Sequence, residues 1–180
     1  MAKHFLPADL AGQYGALSTL GKILIYGIGA FITVLLPMVS AAHAKGQENG
    51  KGEGENILAL TLAIIAAASI GVYVCFSLFP HPIVTILFGA RYLAIAPYLA
   101  TFSIAMACIS LVTAFINYFV AVQNSSFIYM LAAGIVLEGI LISLSHATLG
   151  AITVMLLISS MVLLVLMAAN YALFCRTKTV

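Results

Sequence analysis

The chain has 180 residues, of which 64% are hydrophobic and 7% are charged, and its mean hydropathy is +1.20. A soluble domain carries about 25% charged residues, so this composition excludes a water-soluble fold and predicts that lipid is the main solvent. The net charge of +2 comes from scattered lysines and arginines without a basic stripe, so nucleic acid is not expected as a partner.

Long, continuous apolar runs predict an all-α, multi-pass transmembrane helical bundle. Helices satisfy their own backbone hydrogen bonds in lipid, whereas the strands of a membrane barrel alternate apolar and polar residues. A membrane span needs about 20 apolar residues. We predict a single transmembrane domain over residues 1–180, with five spans at about residues 12–42, 57–78, 94–122, 127–144 and 151–174.

The first span is predicted to begin just after Pro7 and Asp9, since a proline and an acid suit a helix start. Its early turns are half polar, which indicates an interface or a wet cavity, and Pro37 in its last third predicts a kink. Residues 42–44 fit the small-x-small pattern of a signal-peptidase site. We expect no cleavage there, because the apolar run exceeds that of a signal peptide and four more spans follow.

The stretch between the second and third spans contains two prolines around His81 and a short apolar run that ends at Gly89. This pattern predicts a helix break followed by a short helix at the membrane surface. Gly89 allows the chain to turn, and Arg91 and Tyr92 suit the headgroup level. We expect Arg91 to anchor the helix there, and the binding of a phosphate is the alternative role.

The charges of the loops predict the orientation of the chain. The charge-rich loop at residues 44–56, a tight turn at residues 123–126 and the polar tail share one side of a five-span bundle. That side holds four of the lysines and arginines, whereas the other side holds Lys3 and Arg91. The positive-inside rule therefore predicts a cytoplasmic C-terminus in a cell (inner or plasma) membrane.

Two ionisable residues inside apolar runs, Lys22 and Glu138, are the main functional candidates, because a charge at the centre of a span costs about 2.5–3.5 kcal/mol. At about 1.5 Å per residue, they lie about 15 and 9 Å from the outer ends of their helices, so we expect them to meet. The functional interpretation is a cavity in which Lys22 holds an anion and Glu138 takes a proton or cation. The alternatives are a structural ion pair or a lysine that snorkels outward.

Asn117 and Asn170 also lie inside apolar runs, where hydrogen bonding between helices is the expected role and a cavity position for Asn117 is the alternative. Small-residue patches at residues 27–30 and 132–134 are expected to pack helices closely. The three cysteines and four histidines lack metal-ligand spacing, and hydrolase, metalloprotease and nucleotide-binding motifs are missing. We predict no metal, no cofactor, no catalytic residue and no enzymatic activity.

Three stretches carry a recognisable order of residues over most of residues 4–125. The first, KHFLPADLAGQYG and its continuation, contributes Phe5, Leu6, Ala11, Gly12, Tyr14, Gly15, Pro37 and Ser40. The second, ILFGARYLAIAPYL, contributes Leu87, Phe88, Gly89, Tyr92, Ala96, Pro97 and Leu99. The third, INYFVAVQNSSF, contributes Asn117, Tyr118 and Gln123. Together they resemble the polysaccharide flippases of the MATE-like (multidrug/oligosaccharidyl-lipid/polysaccharide) superfamily. The last two spans of this chain resemble those flippases only in hydropathy.

The resemblance implies a larger bundle in two halves that moves undecaprenyl-diphosphate-linked glycans across the membrane by alternating access. It implies membrane lipid and a lipid-linked glycan as partners. It also implies a cationic cavity, and Lys22 is the one basic residue of this chain that is placed to line it. In such flippases a full helix precedes the first motif. We therefore expect this chain to be a carboxyl-terminal portion that works with a missing amino-terminal half or a partner chain.

Three other functions stay open at the level of sequence. One is a non-transporting helical membrane scaffold or subunit that binds other membrane proteins through small-residue faces. The others are a lipid II flippase and a drug or ion antiporter of the same superfamily. A cationic drug would favour acidic cavity residues, for which Glu138 is the only candidate.

Overall fold

The computed structural model describes residues 8–46, 53–144 and 148–178, and these residues form helices without any strand. The predicted all-α fold is therefore confirmed. The motif residues Phe5 and Leu6 and residues 47–52 of the predicted aqueous loop lie outside the described residues. In chain order the elements are α1 (Ala8–Gly46), α2 (Glu53–Leu78), α3 (Pro80–Phe88), a 3₁₀ helix (Ala90–Tyr98), α4 (Leu99–Ala121), α5 (Phe127–Leu144) and α6 (Leu149–Lys178).

Within the described residues, three helical segments are long and apolar enough to cross a membrane, and the chain is accordingly a membrane protein. They are Glu55–Leu78, Ala90–Ala121 and Leu149–Cys175. α1 is long enough to cross only if its two parts, Ala11–Gly27 and Ile32–Ala41, form one bent span. The apolar part of α5, Phe127–Leu141, is shorter than the three spanning segments. Crossing of the membrane by α1 and α5 stays a prediction.

We predicted a kink in α1 at Pro37. The helix does bend, by 41°, but it does so between Gly27 and Ile32, upstream of the proline. A proline frees the carbonyl four residues before it, which here belongs to Thr33. The bend lies earlier still, beside two glycines. Thr33 Oγ1 donates a hydrogen bond to the Gly29 carbonyl at 2.8 Å, and bonding of this kind bends helices.

α4 is the central helix, because α1, α2 and α6 all pack against it. Small side chains at a contact allow two helix backbones to approach closely. The small buried residues of α4 are Ser103, Ala105, Cys108, Ser110 and Ala114. α1 contributes Gly21, where an added Cβ would collide with Phe102 and Met106 of α4.

α5 lies at the edge of the bundle and packs on α6. The contact runs through Gly134, since a Cβ there would come within 2.5 Å of a Leu163 methyl group. The predicted small-residue contact at residues 132–134 is thus present, and it joins two helices of the same chain. At the patch in α1, by contrast, Gly27 and Gly29 have no neighbour within 4 Å of an added Cβ.

A broken corner joins α2 to α4, as the prolines and Gly89 predict. α2 ends at Leu78, and α3 begins at Pro80, a residue favoured at the first position of a helix. Gly89 then adopts φ 85° and ψ 168°, a region essentially reserved for glycine. The N–H of Tyr92 donates to the Gly89 carbonyl at 3.1 Å, and its ring contacts Phe88 with centroids 5.9 Å apart. The position of this corner at the membrane surface stays a prediction.

The predicted tight turn between α4 and α5 is present and ends α4 with a Schellman pattern. The N–H of Asn124 donates to the Phe119 carbonyl at 3.0 Å, and that of Gln123 donates to Val120 at 3.1 Å. Gln123 occupies the left-handed position with φ 56°. Asn124 Oδ1 then accepts the N–H of Ser126 at 2.9 Å, which fixes the start of α5.

Replacement of Gly89 with alanine is expected to destabilise the fold by about 1–3 kcal/mol, because alanine is strained at this backbone conformation. Gly71 is the matched control, since neither glycine has a neighbour within 4 Å of an added Cβ. Gly71→Ala lies in a regular helix and is expected to be neutral or to stabilise by up to about 1 kcal/mol. Thermal unfolding in detergent micelles checks both. Equal unfolding midpoints would contradict the assignment of the strain to Gly89.

Candidate functional site

α1 has a polar face that points away from the rest of the described bundle. Its members recur at intervals of three and four residues, and all are exposed: Gly12, Gly15, Thr19, Lys22 and Tyr26. Residues at this spacing share one side of a helix, so they form a continuous stripe, called here the polar face of α1. The buried residues Leu17 and Leu20 lie on the opposite side, towards the core.

The polar face of α1 offers one cation and two hydroxyl oxygens, those of Thr19 and Tyr26. The hydroxyl of Thr19 donates to the Gly15 carbonyl at 2.9 Å, so its oxygen remains available as an acceptor. The Tyr26 side chain is 74% exposed. Lys22 forms no ion pair or hydrogen bond with any side chain that the structure describes. The lysine ammonium has three donors, so this face is equipped to bind an anionic group.

The Glu138 carboxylate lies within electrostatic reach of Tyr14, whereas we expected it to meet Lys22. Glu138 is half-buried on α5, and its carboxylate is close enough to act electrostatically on the half-buried Tyr14 hydroxyl. Lys22 follows Tyr14 by eight residues, or about 12 Å along α1, and turns its side chain outward. Among the described residues, Glu138 has no ion pair and no hydrogen-bond donor.

Tyr14 was predicted as a motif residue in the half-polar early turns of the first span, and not as a partner of Glu138. The bounds of the two helices in the structure account for the difference. Tyr14 lies six residues after Ala8, at the start of α1, and Glu138 lies six residues before the end of α5 at Leu144. Both are thus about 9 Å from a helix end, and a comparison of depth predicts Tyr14 as the nearer partner.

Of the two asparagines predicted inside apolar spans, only Asn170 links different parts of the fold. Its Nδ2 donates to Ser126 Oγ at 3.0 Å and lies 3.2 Å from Met130 Sδ, while its Oδ1 accepts from Ser126 at 3.1 Å. Asn117 instead donates to the carbonyl of Thr113, one turn earlier in its own helix, at 2.8 Å. Its amide oxygen remains as an acceptor on the half-buried side of α4.

The remaining candidates lie apart from the polar face. Arg91 is exposed at the start of the 3₁₀ helix, in the same corner as Gly89 and the exposed His81. Pro37 is exposed beyond the bend of α1. In the part of the chain that the structure describes, no group of three His, Cys, Asp or Glu side chains is placed to hold a metal ion.

Comparison of the chain with protein-family models, with curated proteins and with solved structures finds no match. The resemblance to polysaccharide flippases therefore depends on the three stretches quoted above. The polar face of α1 and the electrostatic interaction of Glu138 with Tyr14 are the candidate functional features of the described residues.

A double-mutant cycle tests which residue is the partner of Glu138. We expect Tyr14→Phe and Glu138→Gln to couple by about 0.5 kcal/mol or more, because the Glu138 carboxylate acts electrostatically on the Tyr14 hydroxyl and interacting residues show non-additive effects on stability. Lys22→Met and Glu138→Gln are expected to add within about 0.3–0.5 kcal/mol, as distant sites do. Denaturant unfolding in detergent measures both couplings. Coupling to Lys22 alone would reverse the assignment.

Proposed function

We propose that this chain forms part of a larger membrane bundle that translocates a lipid-linked oligosaccharide for polysaccharide export. The observation that carries the proposal is the exposed Lys22 on the polar face of α1, a helix predicted to lie in the membrane. Ionisable residues within spans almost always face a protein interior or a water-filled cavity. A polar face that points away from its own bundle therefore requires water or another protein opposite, and a transporter in two halves supplies both.

The chemistry of the face favours an anionic substrate. A lysine ammonium flanked by hydroxyl oxygens suits the diphosphate that joins a lipid carrier to its glycan. Glu138 is half-buried on α5, within electrostatic reach of Tyr14, so the carboxylate that a cationic drug would require is not on this face. The lipid II flippase is the nearest alternative, because its substrate carries the same diphosphate.

The proposed setting is the cell (inner or plasma) membrane with the C-terminus in the cytoplasm. The lysines and arginines of the loop at residues 44–56 and of the tail support this orientation. The partner is the half or chain that covers the polar face of α1, together with membrane lipid and the lipid-linked glycan.

Removal of the Lys22 charge is the direct test in the complete transporter. Lys22→Met is expected to reduce the export of glycan about ten- to a hundredfold, since a hydrogen bond to a charged group contributes about 1.5–3 kcal/mol. Lys22→Arg, which keeps the charge, is expected to retain most of the export. Ile23→Ala, an exposed neighbour, is the matched control. The readout is surface polysaccharide per inserted protein, and wild-type export by Lys22→Met would refute the proposal.

A membrane scaffold is the second candidate, and a stripe on α2 favours it. Small residues recur every four positions and are all exposed: Ala59, Ala63, Ala67, Gly71 and Cys75. Patterns of this kind allow another helix to approach closely. In this function the chain holds partner proteins together, and Lys22 has no role in transport.

Enlarging the α2 stripe separates the two candidates. Ala67→Leu is expected to reduce the size of the complex extracted from native membranes if the scaffold function is correct, while Tyr73→Phe, at an exposed position on another side of α2, preserves it. Native mass spectrometry in detergent gives the size. An unchanged complex with Ala67→Leu, together with lost export in Lys22→Met, would exclude the scaffold.

A further inference from the structure

The exposed polar side of α1 continues past the bend of the helix. The polar face of α1 ends at Tyr26, and in the second part of the helix Thr33, Pro37 and Ser40 are exposed at the same kind of spacing. Thr33 follows Lys22 by eleven residues and Ser40 follows it by eighteen, which are about three and five turns of an α-helix. These residues therefore lie on the same side of α1 as Lys22.

The buried side of α1 shows that the bend does not change which side faces the core. Gly21 is buried against α4 before the bend, and Ile32 and Val39 are buried after it. Eleven and seven residues separate these three positions, which are again about three and two whole turns. Since the buried side continues through the bend, the exposed side does so as well. We call the exposed side from Gly12 to Ser40 the α1 track.

The α1 track differs in composition from the side of the helix next to it. Its described members beyond Lys22 are glycine, proline and residues with a hydroxyl group, without Leu, Ile, Val, Met or Phe. The exposed aliphatic residues of α1 are Ile23, Val34 and Met38, and each directly follows a member of the track. One residue turns a helix by about 100°, so these side chains point away from the track. This division indicates lipid on one side of α1 and a polar environment on the other.

The length of the α1 track is sufficient to cross a membrane. Gly12 and Ser40 are separated by 28 residues, or about 42 Å along the helix, whereas the hydrocarbon core of a bilayer is about 30 Å thick. In a helix predicted to lie in the membrane, one side thus avoids large aliphatic residues over more than the thickness of that core. The polar environment is therefore not confined to the depth of Lys22.

Water is the occupant of the α1 track that its side chains favour. Glycine and small hydroxyl residues alone would also suit close packing of another helix. The middle of the track, however, carries two long side chains one turn apart, Lys22 and Tyr26, and the tyrosine is 74% exposed. Both project from the helix and hold another backbone at a distance, and an ionised lysine at membrane depth requires a polar environment.

We propose that the α1 track lines a water-filled path across the membrane, so that Thr33 and Ser40 extend the site of Lys22 along the second part of the helix. The Thr33 hydroxyl donates to the Gly29 carbonyl at 2.8 Å, and its oxygen remains an acceptor for a sugar hydroxyl. The assignment of this path to the sugars of the glycan rests on the proposed function. The water in it requires only that α1 crosses the membrane.

Reaction of single cysteines with a charged methanethiosulfonate tests the water path. The background is Cys75→Ser, Cys108→Ala and Cys175→Ser, in membrane fragments open on both sides. Thr33→Cys is expected to react at least about tenfold faster than its neighbour Val34→Cys, because a charged reagent is excluded from lipid and the reactive thiolate forms poorly there. Ser40→Cys and Met38→Cys give the same comparison one or two turns further on. Equal rates within the two pairs, or no reaction at residue 33, would overturn the path.

The pair formed by Thr19→Cys and Ile23→Cys makes the result independent of the proposed function. Reaction at residue 19 but not at residue 33 would end the polar environment at the bend and overturn the extension, while the site at Lys22 would stand. Protection of residue 33 in membranes that is lost in detergent would assign the track to a docked helix, which also overturns the path. Rapid reaction at residues 33 and 40, with normal glycan export by Lys22→Met, would support the path and refute only its assignment to the glycan.

Discussion

Close approach of three helices to α4 is the constraint on which the rest of the structure depends. In lipid, the burial of apolar surface does not drive helices together. Helix association depends instead on van der Waals contacts between backbones that approach closely. Gly21 of α1 supplies that approach on one side, and α4 contributes the small buried residues Ala105, Cys108 and Ala114. Ser103 and Ser110 bond to carbonyls of their own helix, so they fill these contacts without stranding a polar group.

The same constraint determines which side chains are available for function. With α4 enclosed, polar groups are displaced to the flanking helices. The contact of Gly21 with Phe102 and Met106 fixes the rotation of α1 about its own axis. Lys22, one residue later, is turned by about 100° from that contact and so cannot face α4. The direction of the lysine is therefore a consequence of packing, which is why the polar face of α1 is continuous from Gly12 to Tyr26.

Much of the fold could be predicted from the sequence because each signal was local. Apolar runs predicted the helices, Gly89 and the prolines predicted the corner, and the tight turn after α4 was read from its polar residues. Rotation of the helices could not be predicted in the same way. A helix in lipid is apolar on all sides, so periodicity does not reveal which side faces the core. For this reason the pairing of Tyr14 with Glu138 and the outward direction of Lys22 required the structure.

The bend of α1 shows a second limit of sequence reasoning. Pro37 was the strongest single signal for a kink in the sequence. The helix instead bends where several weaker helix-bending features lie close together. The glycines at residues 27 and 29 lower the resistance to bending, and the hydroxyl of Thr33 competes for the Gly29 carbonyl. The bend therefore lies before the turn that the proline itself affects.

The exposed sides of the helices differ in the size and polarity of their side chains. The exposed sides of α5 and α6 carry large aliphatic residues such as Ile135, Val136, Val162 and Val165, which suit lipid tails. α1 presents hydroxyls and a lysine, and its neighbour α2 presents a row of small residues. Small residues permit close docking of another helix, whereas the polar face is unsuited to lipid. α1 and α2 pack side by side, so under the proposed function one partner surface that reaches both helices would enclose the polar face of α1.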